Sequence, residues 1–234
     1  MKICSISDLH GNLIKYPSDY WKGLEECEIL CICGDILPLH IQFNSHQSLE
    51  WLVKEFKPWA EALPVEKIFI IAGNHDAFFE RHLNEPKSLF PTYEKVTYLQ
   101  NEYIEYLSTQ DNKLYRIFGT PYCHQFGNWP FMRDEEILKQ KFAEIPENID
   151  ILITHDAPYG VSDMCYESPW NHMSHIGCLE LREAILEKNP KLCLHGHLHS
   201  ANHEEEMLGN TKVYNTSILN EKYNIAYQPL YLEI

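Results

Sequence analysis

Five short apolar runs constrain this chain more than any other feature. They span residues 2–7 (KICSIS), 29–33 (ILCIC), 67–72 (KIFIIA), 150–154 (DILIT) and 191–195 (KLCLH). Each is too short for a helix, and each is apolar almost throughout rather than alternately. That pattern predicts strands covered on both faces. Helix-like segments lie between them. Residues 48–63 carry apolar side chains at helical spacing, with Pro58 expected to kink or break the helix, and residues 133–143 and 176–187 add two more. Strand, helix, strand order predicts an α/β fold. Strand-like pieces at 113–118 and from residue 213 onward have no helices between them and suggest a second, partly antiparallel sheet. No repeat, low-complexity stretch or Gly/Ser linker divides the 234 residues, so one domain over 1–234 is expected.

The residues just past each run carry the chemistry. The first run leads into Asp8-Leu9-His10-Gly11-Asn12, the second into Gly34-Asp35, and the third into Gly73-Asn74-His75-Asp76. The fourth is followed by His155, and the last runs into His195-Gly196-His197-Leu198-His199. Ligands of open α/β sheets bind at the carboxyl ends of the strands. If the five runs are parallel strands of one sheet, all five clusters share an edge. His and carboxylate without thiolate suit Zn, Mn, Fe or Ni. Glycines at 34, 73 and 196 allow close backbone approach. A lone Asp at a strand end is usually a cap or turn residue, and a lone His a satisfied one. Five such clusters, each after a strand, are not explained that way.

Composition narrows the partners. Asp plus Glu number 34 against 19 Lys plus Arg, a net charge of −15, and only Arg81, Arg116, Arg133 and Arg182 are arginines. So acidic a surface argues against tracking a nucleic-acid polymer and against a polybasic membrane anchor. No run of 18 apolar residues is present, and the first residues lead straight into a strand rather than a secretory signal. The eight cysteines form no C-x-x-C pairs and read as reduced core thiols. A cytoplasmic protein is the expectation.

The order D-x-H, G-D, G-N-H-D, H, G-H-x-H from Asp8 to His199 resembles the calcineurin-like metallophosphoesterase superfamily. The segments IAGNHDAFFE, YRIFGTPYCHQFGNWPF, IPENIDILITHDAP and PKLCLHGHLH are similar to its small metallophosphoesterase-domain subgroup of cyclic-nucleotide phosphodiesterases. The resemblance implies a single-domain, four-layer α/β/β/α sandwich holding two divalent metal ions. Asp8, His10 and His199 would hold one, Asn74, His155 and His197 the other, and Asp35 would bridge them. His75 would serve as general acid or as a clamp on the substrate, with Asp76 orienting His75 or a ligand, or capping the next helix. The implied reaction is phosphodiester hydrolysis, of small or cyclic nucleotides, by attack of a hydroxide bridging both metals. Two dications against Asp8, Asp35 and one hydroxide leave about +1, enough to attract a phosphate ester without arginines. A phosphomonoesterase, a nucleotide pyrophosphohydrolase and a catalytically silent scaffold of the same fold are the alternatives. The subgroup usually has His-Gly where this chain has His155-Asp156, and His-Ser-Arg where it has His10-Gly11-Asn12.

Two further stretches lack periodicity, residues 119–131 and 156–175. Trp129 in the first is a candidate base-stacking residue or a packed loop anchor. Asn12 is a candidate phosphate contact or a turn cap. In the second stretch, which exceeds the usual loop length, Trp170, His172 and His175 are candidate lid residues or packing.

Overall fold

The computed structural model describes residues 1–82, 89–90, 93–167 and 172–234; Trp170 lies outside them. The first half of the chain builds strands β1 (Lys2–Ile6), β2 (Ile29–Cys33), β3 (Lys67–Ile71) and β4 (Val96–Tyr98). These pair in parallel, and the last strand, β15 (Leu230–Glu233), returns antiparallel to β1, giving the order β15-β1-β2-β3-β4. The second sheet contains β5 (Glu102–Leu107), β6 (Leu114–Thr120), β9 (Ile151–Thr154), β12 (Leu192–His195), β13 (Glu206–Leu208) and β14 (Thr211–Asn215), in the order β13-β14-β12-β9-β6-β5. Between β6 and β9, β7 (Cys123–His124) and β8 (Met132–Arg133) pair with each other. The stretch 156–175 is not irregular throughout, since β10 (Met164–Glu167) and β11 (His172–His175) pair antiparallel within it.

The five apolar runs therefore do not share one sheet. Three enter the first sheet and two, β9 and β12, enter the second. Their composition follows from position, because each sheet is covered on both faces. Ile29, Cys31, Cys33, Phe69 and Ile71 meet Ile117, Ile151, Ile153, Leu192 and Leu194 in the layer between the sheets. Leu30, Ile32, Ile68 and Ile70 face the other way, with Leu52, Phe56 and Trp59; Leu152, Cys193 and Val213 do the same with Phe142, Leu181 and Ile185. The result is the four-layer α/β/β/α sandwich. All eight cysteines are buried and unpaired.

The helical layers come from α1 (Ser45–Trp51) and α2 (Lys57–Ala62) on one side, and from α4 (Glu135–Ala143) and α5 (Leu179–Lys188) on the other, with the short α3 (Ala77–Arg81) after β3. Pro58 does not break its helix. A π-helical turn over Leu52–Phe56 joins α1 to α2, and the proline falls in the first turn of α2, where its missing N–H is tolerated. Asn44, Asp134 and Cys178 cap α1, α4 and α5, each accepting a hydrogen bond from the third residue on. Among the described residues, no helix is long and apolar enough to cross a membrane.

Candidate metal centre

The carboxyl ends of β1, β2, β3, β9 and β12 converge although they belong to two sheets. Backbone hydrogen bonds lace the first two loops together: Asp8 N to Gly34 O at 3.1 Å, His10 N to Asp35 O at 2.9 Å and Gly11 N to Ile36 O at 3.0 Å. The packing is tight enough to require glycine. A Cβ on Gly196 would lie 1.9 Å from Ser7 Oγ and 2.5 Å from Asp8 Oδ2, and one on Gly73 would lie 2.2 Å from Asp35 Oδ1. Asp8, His10, Asp35 and His197 adopt φ of 57°, 41°, 52° and 70°. Left-handed non-glycine residues cost on the order of 1–3 kcal/mol each and cluster at functional sites.

These turns aim buried side chains at one another. Asp8 Oδ1 lies 3.4 Å from His199 Nε2. The Asp8 carboxylate also accepts the His197 amide, at 3.1 and 3.0 Å, and the Ser217 hydroxyl. Asp35 Oδ2 is 3.5 Å from His10 Nε2, and its Oδ1 is 3.5 Å from His155 Nε2. Asn74 Oδ1 is 3.0 Å from that same His155 nitrogen. His197 packs its ring 5.1 Å from the His155 ring. All seven residues that the sequence marks as candidate ligands thus meet in one place.

The donor set fits divalent cations. His155 gives its Nδ1–H to Cys33 O at 2.7 Å, and His199 gives its Nδ1–H to Asn220 O at 3.2 Å. Each ring thereby turns Nε2 toward a carboxylate, as histidines bound to metals do. His10 is buried with both ring nitrogens lacking a hydrogen-bond partner among the described residues, an orphan that a cation would satisfy. Ligand atoms of Asp8, His10 and His199 lie within 4.8 Å of one another, and so do those of Asp8, Asp35 and His155. Asp8 stands in both groups and Asp35 in the second. Burial pushes both carboxyls up, yet the imidazoles outweigh it: His199 holds Asp8, and His155 holds Asp35, well below the usual range. Burial alone would lower His155 and His199, but Asp35 and Asp8 respectively raise them. Burial, helped by the neighbouring His155 charge, lowers His197 to about 4. The pocket holds carboxylates ionised and imidazoles turned inward.

His75 stands beside this group. Its backbone N–H donates to Asp35 Oδ1 at 2.7 Å, and its Nδ1 meets Gln42 Oε1 at 2.7 Å. Gln42 Nε2 donates to Leu39 O at 3.0 Å, which fixes the amide so that Oε1 accepts from His75. Nε2 of His75 is left for the site, with the His10 ring 5.1 Å away. Trp129 lies 4.7 Å from the His75 ring and stacks on Phe43. Asn12 turns its side-chain N–H back onto Leu9 O at 2.9 Å, so that the amide nitrogen serves the turn.

Three neighbouring residues that the sequence also singles out complete the surroundings of the site. Asp76 occupies the N-cap position of α3 but makes no capping hydrogen bond. Its carboxylate instead accepts the amides of Ile36, Leu37 and Gly73 at 2.9–3.1 Å, which fixes the turn after Asp35. Asp156 is buried and binds the His124 amide at 2.8 Å and its Nδ1 at 2.7 Å. Asp156 thus ties His124, in the loop after β6, to the residue following His155. His195, read from sequence as a strand residue, lies buried in β12.

The sequence model of calcineurin-like phosphoesterases matches residues 1–201. Human metallophosphoesterase domain-containing protein 1 is 29% identical over 217 residues, covering 86% of this chain and 65% of that protein, so the chain spans slightly less than two thirds of this relative. The Caenorhabditis elegans UPF0046 protein C25E10.12 is 28% identical, covering 86% of this chain and 73% of that protein. Among solved structures, TT1561 of Thermus thermophilus superposes with a TM-score of 0.58 at 15% identity, covering 92% of this chain and 88% of that one. Sulfate thiohydrolase SoxB from Thermus thermophilus superposes at 0.50 and 13% identity, covering 92% and 51%. At such identities the structures speak to the fold alone. The family match spans most of the chain and includes every candidate ligand, and this chain belongs to the calcineurin-like phosphoesterases.

Proposed function

We propose that this chain is a metal-dependent phosphodiesterase acting on small or cyclic nucleotide diesters. The observation that carries the reading is the pair of ionised carboxylates, Asp8 and Asp35, buried among inward-turned imidazoles with His75 beside them. Asp8, His10, Asp35, Asn74, His155, His197 and His199 would hold two divalent ions of manganese, iron, zinc or nickel. Ions bound there supply Lewis acidity toward phosphoryl oxygens and activate water at neutral pH. Asp35 also positions His75 through its backbone N–H. With Nδ1–H committed to Gln42, His75 delivers a proton from Nε2 to the departing alkoxide.

The diester is favoured over the dianionic monoester because the arginines are engaged elsewhere. Arg81 binds Phe43 O, Arg116 binds Asn148 O, Arg133 binds Glu80, and Arg182 binds Tyr159 O. A monoester or pyrophosphate gains most from such forked donors. The test strips the protein with chelator, restores Mn²⁺, measures bound metal, and compares bis(4-nitrophenyl) phosphate, 4-nitrophenyl phosphate, and 2′,3′- and 3′,5′-cyclic nucleotides. Metal-dependent diester and cyclic-nucleotide turnover is expected. Monoester turnover alone would make the chain a phosphatase. Failure to bind metal would make it a scaffold.

A further inference from the structure

Two partly exposed aromatic rings, Phe126 and Tyr223, stand directly beside candidate ligands at the mouth of the site. Phe126 is 54% exposed and packs 5.3 Å from the His197 ring. Tyr223 is 41% exposed and lies edge-on to His10 and His199, with centroids 5.0 and 5.3 Å away. They approach opposite halves of the ligand cluster. Tyr223 also lies beyond residues 1–201, the part matched by the family's sequence model.

Both rings sit on turns pinned to the site rather than on free loops. Tyr223 adopts φ 58°, a strained conformation for a non-glycine residue. Asn220 holds it there. The Asn220 carbonyl accepts the Tyr223 amide at 2.8 Å, and its side-chain oxygen accepts the amides of Lys222 and Asn224. That same carbonyl accepts His199 Nδ1–H. Phe126 lies two residues after His124, whose amide and ring are fastened to Asp156, next to His155. Each turn is therefore fixed through a residue that is a candidate ligand or adjoins one. Backbone fastened in this way leaves less to be ordered when a ligand binds. Trp129 differs, because one face is already stacked on Phe43.

We propose that Phe126 and Tyr223 are specificity-determining residues that bind a planar aromatic group of the ester, such as a nucleobase, against saturated groups of the same size. This rests on the phosphodiesterase reading for its substrate and deepens it. Stacking on aromatic side chains tolerates any base, since every base offers a π-face, which suits a site with few fixed polar donors.

Binding tests this apart from turnover. Calorimetry on Mn²⁺-loaded protein compares two non-hydrolysable monoanions, benzyl(methyl)phosphinate and (cyclohexylmethyl)(methyl)phosphinate, which carry no P–O–C ester bond. They match in charge and nearly in size and differ in planarity. The benzyl compound is expected to bind roughly tenfold more tightly. Phe126→Leu and Tyr223→Leu should each move the ratio toward one, and Tyr223→Phe should restore it. Equal affinities in the unmodified protein, no binding of either compound, or a ratio unmoved by both leucine variants overturns the proposal. Failure of the phosphodiesterase reading looks different: aromatic selectivity persists while bis(4-nitrophenyl) phosphate is not turned over.

Discussion

Strand β2 carries a buried carboxylate at each end, and the two have opposite surroundings. Glu28, just before the strand, is 2% exposed. It accepts Ser108 Oγ at 2.6 Å, Thr109 N at 2.6 Å, Tyr106 OH at 2.8 Å and Gln110 N at 3.2 Å. Neutral donors saturate it and tie the first sheet to the β5–β6 connection of the second. Asp35, just after the strand, is equally buried but, among the described residues, receives one amide at hydrogen-bond distance, with two imidazoles standing 3.5 Å off. Its backbone is left-handed, whereas no positive φ occurs at Glu28. A buried acid met by neutral dipoles fastens the fold, while one left among histidines keeps its charge for a cation.

That contrast breaks most visibly at Asp35. Asp35→Asn keeps an oxygen for the His75 amide, so the protein should still fold while Mn²⁺-dependent turnover falls to background. Turnover near the unmodified rate would remove Asp35 from the centre. His75→Ala is expected to slow turnover by about 10²–10⁴-fold, most for alkoxide leaving groups and least for nitrophenolate. Metal content should stay the same by elemental analysis, and loss of the metal would make His75 a ligand rather than a proton donor.

Glu28→Gln should do the reverse, sparing turnover and lowering stability by about 2–3 kcal/mol in urea unfolding, since hydrogen bonds to a charged group are lost. Burial pushes Glu28 up, but the Ser108, Thr109, Tyr106 and Gln110 hydrogen bonds together hold it below its ordinary value of 4.5. The folded state therefore keeps Glu28 ionised more firmly than the unfolded chain. Its stabilisation is complete above pH 4.5 and is lost as pH falls through the lower, folded value. The gap between the unmodified protein and Glu28→Gln should be constant at neutral pH and narrow on acidification. A gap independent of pH would mean that packing, not charge, fastens that end.

The same strand shows what the sequence could and could not convey. Residues 29–33 read as a two-sided strand because Ile29, Cys31 and Cys33 face the other sheet while Leu30 and Ile32 face helices. Residues 150–154 read identically yet join the other sheet, since burial on both faces says nothing about which sheet a strand enters. The candidate ligands were legible because they directly follow strands. Glu28 was not, for it follows Glu25 and Glu26 and looks like the end of a solvated acidic run. Gln42, Ser217, Phe126 and Tyr223 reach the site only through tertiary folding, from loops with no spacing to betray them. Asp76 shows the limit within a motif: its position reads equally as an orienting carboxylate or a helix cap, and only its contacts with Ile36 and Leu37 decide between them, because they shape the Asp35 turn.

Asn12 should give the smallest effect, and it tests how far the site extends beyond its ligands. The subgroup resemblance puts an arginine there, which would make the position a substrate contact. Here the side chain closes the Leu9–Asn12 turn instead, with both its amide and the backbone N–H directed at Leu9 O. Removing a local hydrogen bond of this kind costs about 0.5–1.5 kcal/mol. Asn12→Ala should therefore leave kcat/KM for bis(4-nitrophenyl) phosphate within about threefold, which is under 0.7 kcal/mol. A tenfold rise in KM at constant kcat would show that Asn12 Oδ1 or its neighbours touch the ester, and the contrast between fastening and functional groups would then have to be redrawn inside the first loop itself.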